Sequence, residues 1–282
     1  MSKLILTLVC NDQKGIVAAV GNCISVQSGN ITECGQYVDS ANNKFFMRVC
    51  VELGQGVALS DFREVFSFVA SAYGMQWQIY DAASKPRVMI IVSQLGHCLN
   101  DLLHRHSIEQ LPMELVSIVS NHEHFRRRAE HEGLAFHYLP VTPANKQEQE
   151  DKLLEMVRDQ QIDLVILARY MQILSDDLSR ALAGHVINIH HSFLPSFKGA
   201  RPYHQAHKRG VKLIGATAHY VTADLDERPI IEQNVQRIDH AATAEDLVAI
   251  GRDTECQVLA RAVKLHLEHR ILLNDDRTVI FH

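Results

Sequence analysis

Four short apolar segments, each followed by a loop and a helical pattern, restrict most strongly what this chain can fold into. They are RVMIIVS, ELVSIVS, DLVILA and HVINIH. Each is apolar at nearly every position, which is typical of parallel strands covered on both faces. The segments between them, such as LNDLLHRH and QEQEDKLLEMVRD, have a helical pattern. Residues 85–282 are therefore predicted to form a doubly wound, mostly parallel α/β domain of Rossmann-like type.

The first 84 residues have a different order of elements. Apolar residues 4–9 predict a strand, and apolar positions at helical spacing in IVAAVGNCISV predict a helix after it. ITECGQYV and KFFMRVCVEL predict an antiparallel pair, SDFREVFSFVASAYG a second helix, and MQWQIYD a last strand. The order βαββαβ is that of a ferredoxin-like domain. The polar break AASKPR marks a domain boundary near residue 85.

The strand KFFMRVCVEL is predicted to be buried on one face only. Its alternation separates two sets of residues: Phe45, Met47, Val49 and Val51 on one face, and Phe46, Arg48, Cys50 and Glu52 on the other. The alternation therefore predicts a half-buried strand.

Composition excludes several classes of function. The formal net charge is -5 and the basic residues are spread along the chain, so we expect no nucleic-acid partner. The six cysteines form no CxxC pair, which fits buried thiols in a reducing compartment, and we expect a cytoplasmic protein. No stretch is long and apolar enough to span a membrane, so we expect no membrane partner.

The strand HVINIH ends in polar residues. Alternation places Asn188 and His190 on the same side, and ligands of such sheets bind beyond the carboxyl ends of the strands. A loop after the later strand GATAHYV holds Asp224 and Asp226. Asn, His and Asp together can polarise a carbonyl group, transfer a proton and orient the group that transfers it.

Other interpretations of these residues stay open at this point. A single histidine at a strand end is often only a structural hydrogen-bonding group. His190 and His191 suggest a metal site, but neighbouring residues of a strand point to opposite faces, and no HxxxH or HExxH pattern accompanies them. Ser192 lacks the GxSxG context of a nucleophile, and SQLGHCLN lacks the glycines of a phosphate-binding loop.

Three segments carry a more specific signal: DLVILARYMQIL, VINIHHSFLPSFKGARPYHQA and GATAHYVTADLDERPII. Over residues 86–282 the chain resembles the folate-dependent formyltransferase fold family, and within it most resembles the formyltetrahydrofolate deformylases. Their N-terminal extension is an ACT domain, and NDQKGIVAAV is similar to that domain. The resemblance implies an ACT regulatory domain at 1–84 and a formyltransferase-fold catalytic domain at 85–282.

The resemblance also implies a set of site residues. The implied catalytic residues are Asn188, His190 and Asp226. The implied substrate-binding residues are Arg169, Met171, Gln172, Ile173, Leu174, His191, Val221 and Asp224. The Asn188 amide and a protonated His190 would stabilise the tetrahedral oxyanion, while Asp226 would hold His190 or the attacking water.

The implied reaction is hydrolysis of 10-formyltetrahydrofolate to formate and tetrahydrofolate, without metal or other cofactor, supplying formate for purine biosynthesis and balancing the one-carbon folate pool. Family members that act on glycinamide ribonucleotide have a glycine-rich loop for its phosphate where this chain has QLGHCLN, and proline where it has His191. Glycine and methionine are the implied effectors at the ACT domain, and a homo-oligomer, dimer or tetramer, is expected. Transfer to an amine and an amino-acid sensor that only binds folate remain as alternatives.

One position departs from the family pattern. The segment LDERPII has Arg228 where the family has glycine. Glycine there would supply a positive φ or room beside the ligand. Arg228 could strain the turn, lower the activity, or contact the glutamate tail of folate, and the sequence does not choose among these.

Overall fold

The computed structural model describes residues 2–191, 202–223 and 229–282. The chain forms two compact units that divide between Lys85 and Pro86. The second unit contains Pro86–Glu268 and Asp275–Thr278. The first unit includes His269–Asn274 and Val279–His282 in addition to the N-terminal part. The expectation that all residues from 85 to 282 belong to the second domain therefore does not match this division at the C-terminus.

The first unit has the expected βαββαβ order. Its strands are β1 (Lys3–Asn11), β2 (Asn30–Asp39), β3 (Lys44–Glu52) and β4 (Gln76–Asp81), and its helices are α1 (Ile16–Val26) and α2 (Leu59–Tyr73). The sheet has the order β2-β3-β1-β4, and every pairing in it is antiparallel. This is the ferredoxin-like topology. Alternate residues of β1 and β3, such as Leu6 and Val49, share a buried cluster with Phe62 and Phe66 of α2.

The prediction that β3 is only half-buried was wrong, because consecutive residues from Phe45 to Val49 are all buried. Phe46 is fully buried and the Arg48 residue is 2% exposed. Phe46 forms a cluster with Leu272 and Phe281, which the C-terminal residues bring to this face. The Nε atom of Arg48 donates a hydrogen bond to the His269 carbonyl oxygen at 3.1 Å. The second face is therefore covered by chain distant in sequence, which local alternation does not reveal.

The second unit contains the predicted doubly wound sheet. Its strands are β5 (Arg87–Val92), β6 (Glu114–Ser120), β7 (Ala135–Tyr138), β8 (Leu164–Leu167), β9 (Val186–His190), β10 (Leu213–Tyr220) and β11 (Ile230–Arg237). Its helices are α3 (His97–Ser107), α4 (Arg126–His131), α5 (Lys146–Asp159), α6 (Asp176–Ala181), α7 (Pro202–Lys208) and α8 (Ala244–Leu267), with a short 3-10 helix at Glu123–Phe125. A two-stranded hairpin of β12 (Ile271–Asn274) and β13 (Arg277–Ile280) follows.

The strand order of this sheet locates its binding crevice. The order is β11-β10-β9-β8-β5-β6-β7, with β5 to β9 parallel and β10 antiparallel to both neighbours. From β5, the chain runs to one side through β6 and β7 and then crosses back to β8 on the other side. Sheets of this type bind ligands at such a switch point, outside the carboxyl ends of the strands. Within the described ranges, no helix has the length and apolar character needed to cross a membrane.

Candidate active site

A cavity of about 580 Å³ lies where the segment after β8, the end of β9 and the end of β10 come together. Most of the residues predicted for substrate binding or catalysis line it: Arg169, Met171, Gln172, Ile173, Leu174, Asn188, His190, His191 and Val221. Other lining residues were not predicted: Lys146, Leu167, Tyr170, Ser175, Asp176, Ser179, Ile189, His219, Thr222 and Ala223. The fold thus brings together four stretches that are separate in sequence: Lys146, residues 167–179, residues 188–191 and residues 219–223.

Asn188 is oriented by a histidine on the neighbouring strand. The register of β9 and β10 places His219 opposite Asn188. Nδ1 of His219 lies 2.9 Å from the Tyr220 carbonyl oxygen and therefore carries the proton. Burial lowers the pKa of His219, so its ring is neutral and Nε2 accepts a hydrogen bond from Asn188 Nδ2 at 3.2 Å. The amide nitrogen of Asn188 keeps a second N–H for a ligand in the cavity.

His190 lies in the cavity wall with an unusually low pKa. Burial is the main cause, the neighbouring His191, His219 and Arg169 act in the same direction, and the pKa of His190 is lowered to about 4. A neutral imidazole follows for pH 7. This differs from the protonated His190 expected from the sequence, because a strand end that faces a cavity is far more buried than an open sheet edge.

His191 also faces the cavity, although strand alternation predicted the opposite side from His190. The two rings stack with centroids 4.7 Å apart and an interplanar angle of 17°. The alternation no longer applies because β9 ends at His190. Within the described ranges, Nε2 of His191 is buried and has no hydrogen-bond partner.

The segment after β8 is held by hydrogen bonds from its own backbone. The Met171 amide donates to Ser93 Oγ at 3.0 Å, and that hydroxyl donates to Asn121 Oδ1 at 2.8 Å. The Ser175 amide donates to Glu150 Oε1 at 2.9 Å. With both ends of the segment fixed, the side chains of Met171 and Ile173 stay largely exposed beside the cavity. Such apolar side chains suit a flat heterocyclic ligand.

A buried carboxylate, Glu255 of α8, lies behind this wall. Its Oε1 accepts a hydrogen bond from the Tyr203 hydroxyl at 2.6 Å, and its Oε2 accepts one from His97 Nε2 at 2.6 Å. The Nε atom of Arg169 lies 3.3 Å from the same Oε2. Burial acts to raise the pKa of Glu255, but the His97 hydrogen bond, the Arg169 charge and the Tyr203 hydrogen bond together lower it. Glu255 is therefore ionised.

The position of Glu255 on its helix is the sequence signal for this buried carboxylate. Glu255 follows Gly251 by four residues and precedes Val258 and Leu259 by three and four, and all of these are buried on α8. A carboxylate on the apolar face of a helix requires charged or hydrogen-bonding partners. For His219, the signal was its place on the strand that leads into the predicted aspartate loop.

Arg169 has an uncommon backbone conformation. Its φ is 64°, in the left-handed region that glycine adopts without strain. Its side chain is nevertheless buried beside Glu255. A bulky residue in this conformation costs on the order of 1 kcal/mol, and such strain concentrates at functional sites.

Some predicted residues lie outside the described ranges. Asp224, Asp226, Arg228 and Ser192 are among them. The roles proposed for the two aspartates, and the choice among the three effects of Arg228, stay predictions.

One group within the described residues has the donor types of a metal site. His97, Cys98 and Glu255 place one donor atom each within 4.8 Å of one another. The Arg169 guanidinium beside Glu255 would repel a cation there, and both carboxylate oxygens already accept hydrogen bonds. This donor set fits an internal hydrogen-bond network better than a metal.

Comparisons with known proteins agree with this geometry. The model of the formyl transferase family matches residues 86–263. A formyltetrahydrofolate deformylase from Corynebacterium sp. (strain P-1) is 47% identical over 98% of this chain and 97% of the relative. The crystal structure of a formyltetrahydrofolate deformylase from Burkholderia mallei ATCC 23344 has a TM-score of 0.96 and 48% identity over the full length of both chains.

A match to a more distant protein covers only part of this chain. A glycinamide ribonucleotide transformylase from Symbiobacterium toebii has a TM-score of 0.65 and 28% identity, and covers 72% of this chain and 97% of that protein. The deformylases match essentially the whole chain, including the first unit. This chain therefore belongs to the formyltetrahydrofolate deformylase family, within the formyl transferases.

Proposed function

We propose that this chain hydrolyses 10-formyltetrahydrofolate to formate and tetrahydrofolate. The observation that carries the proposal is the joint position of Asn188 and His190 in the wall of one cavity whose other side is the segment 169–174. The cavity volume of about 580 Å³ suits a small-molecule ligand. Relatives that match nearly the whole chain are named for this activity.

The chemistry requires stabilisation of a negative oxygen. Water adds to the formyl carbon, and the carbonyl oxygen becomes an oxyanion. The second N–H of Asn188, oriented by His219, donates a hydrogen bond to that oxygen. The bond between the formyl carbon and N10 then breaks, and N10 takes a proton to leave as tetrahydrofolate. A neutral His190 can accept a proton that comes from the attacking water and carry it to N10.

Water rather than an amine is the acceptor in this proposal. Side chains that follow β5 already form hydrogen bonds to other protein groups. Ser93 binds Asn121 and the Met171 amide, and His97 binds Glu255. These contacts leave that segment poorly suited to hold the phosphate of a ribonucleotide. The match to a glycinamide ribonucleotide transformylase makes amine transfer the second candidate.

The deciding experiment measures formate and tetrahydrofolate released by the purified protein from 10-formyltetrahydrofolate, with and without glycinamide ribonucleotide. We expect equal formate release in both cases. If no formate appears and the formyl group is found on the amine, the reaction is transfer and not hydrolysis. Release of neither product, with folate bound, would leave a binding protein.

The first unit suggests regulation. We propose that it is an ACT-type domain that binds glycine or methionine, and that the chain forms a homo-oligomer. We also propose that the hydrolysis needs no metal and that it supplies formate to purine biosynthesis in the cytoplasm. The βαββαβ topology and the full-length relatives support the domain assignment. A thermal-shift screen with glycine and with methionine tests effector binding. The formate assay repeated in the presence of a chelator tests whether hydrolysis needs a metal. The absence of any shift would contradict the effector assignment.

A further inference from the structure

We propose that His191 is a catalytic residue that binds the attacking water through Nε2 and accepts its proton. The proposal rests on the hydrolysis proposed above and assigns a separate group to water. Asn188 is then left to the oxyanion and His190 to the departing N10.

The first argument is an unmet hydrogen bond. Nε2 of His191 is buried and has no partner within the described ranges, and His191 is one of the residues that line the cavity. A buried polar atom without a partner costs about 1–3 kcal/mol, so such atoms commonly mark a site that a ligand or water fills. The cavity next to it has a volume of about 580 Å³, many times the roughly 30 Å³ that one water molecule takes up in the liquid.

The second argument is position. The ring of His191 stacks on the ring of His190 at 4.7 Å, so both imidazoles face the same part of the cavity. Asn188, two residues before His190 on β9, lines the same wall. A water on His191 would therefore lie near the carbon whose oxygen binds Asn188, as attack on a formyl carbon requires.

The third argument concerns charge. Burial lowers the pKa of His191, the Arg169 charge lowers it further, and Glu255 acts in the opposite direction. Arg169 is kept in place by Glu255, although its backbone is strained. Burial and the Arg169 charge together thus keep His191 neutral, so that its Nε2 can accept a proton.

The proton balance of the step is complete. As the water oxygen bonds to the formyl carbon, one water proton moves to Nε2 of His191 and the carbonyl π electrons move to the oxygen that Asn188 binds. His190 takes the remaining proton of that water from the tetrahedral intermediate and delivers it to N10 as the C–N10 bond breaks and the carbonyl group is restored. His191 then releases its proton to solvent, and the products are formate and tetrahydrofolate.

The test separates attack by water from attack by a nucleophile that needs no base. Hydroxylamine attacks the formyl carbon as a neutral amine and gives formohydroxamate, which ferric chloride detects after subtraction of an enzyme-free blank. For His191→Gln and His191→Ala, we expect formate release to fall about 100-fold or more. We expect formohydroxamate production to stay within about threefold, because Asn188 still stabilises the oxyanion. Asn188→Ala should lose both reactions.

A matched control and two contrary results complete the design. His131→Gln changes an exposed histidine of α4 and should leave both rates unchanged. Near-normal formate release by His191→Gln, or a parallel fall of both reactions in the His191 variants, would refute the role of His191 while leaving hydrolysis intact. Wild-type protein that releases no formate would instead refute the proposed function, and this inference with it.

Discussion

At the residue scale, His219 controls the direction of the Asn188 amide. Its Nδ1 is committed to the Tyr220 carbonyl oxygen, so only Nε2 can accept from Asn188. Without that acceptor the amide rotates freely, and its N–H no longer points steadily at the oxyanion. His219 is therefore a positioning residue: it orients Asn188 and does not contact the reacting atoms.

We predict that His219→Phe lowers kcat for formate release about 10-fold to 100-fold while KM changes little, since only the transition state carries the oxyanion. His219→Gln keeps an amide that both donates and accepts, and should recover much of the loss. Steady-state kinetics of both variants check this. Equal kcat for His219→Phe and wild type would show that Asn188 is oriented without His219.

At the element scale, α8 approaches Tyr203 closely at a glycine. A Cβ atom built on Gly251 would lie 2.1 Å from Cζ of Tyr203, whose hydroxyl binds Glu255. The helix can therefore bring Glu255 under the cavity wall only with glycine at this position.

We predict that Gly251→Ala lowers the free energy of unfolding by about 1–3 kcal/mol, because the ring of Tyr203 must move and break its hydrogen bond. Gly21→Ala in α1 is the matched control, since nothing lies within 4 Å of its added Cβ. It should stabilise by about 0.5–1 kcal/mol through helix propensity. Denaturant unfolding measures both. Stabilisation by Gly251→Ala would contradict the close packing.

The elements that could be predicted from the sequence are those with a local pattern. The apolar run before Asn188 and His190 indicated a buried strand whose end faces a ligand, and the cavity is there. The partners of Glu255 could not be predicted, because they come from α3, α7 and the segment after β8. Their meeting depends on packing between distant segments, which periodicity does not describe.

The outer face of β3 was missed for the same reason. Phe281 returns to Phe46 across most of the chain length, and no local pattern announces the contact. We predict that Phe281→Ala lowers the stability of the first unit by about 3–5 kcal/mol, as removal of a buried aromatic ring does. Phe68→Ala, on the exposed side of α2, should change stability by less than about 0.5 kcal/mol. The melting temperatures of the two variants are measured by thermal unfolding. Equal values would show that Phe281 does not cover the outer face of β3.

At the scale of the whole molecule, buried histidines link folding to pH. Burial lowers the pKa values of His137, His190, His191 and His219 below the ordinary value. In the unfolded chain these side chains protonate near pH 6.5, while the folded chain resists protonation. As the pH falls below about 6.5, the unfolded state therefore binds more protons than the folded state, and the free energy of unfolding decreases.

We predict that the melting temperature is constant above about pH 7 and falls steadily between pH 6.5 and 5. For His190 alone, lowering the pKa from 6.5 to about 4 corresponds to about 3 kcal/mol once the pH reaches 4. His190→Gln removes this contribution and should flatten the slope, whereas the exposed His131→Gln should keep it. Stopping at pH 5 keeps carboxylates such as Glu255, whose pKa is lowered, out of the transition. Differential scanning fluorimetry across this range measures the slopes, and identical slopes for His190→Gln and wild type would mean that His190 titrates normally in the folded protein.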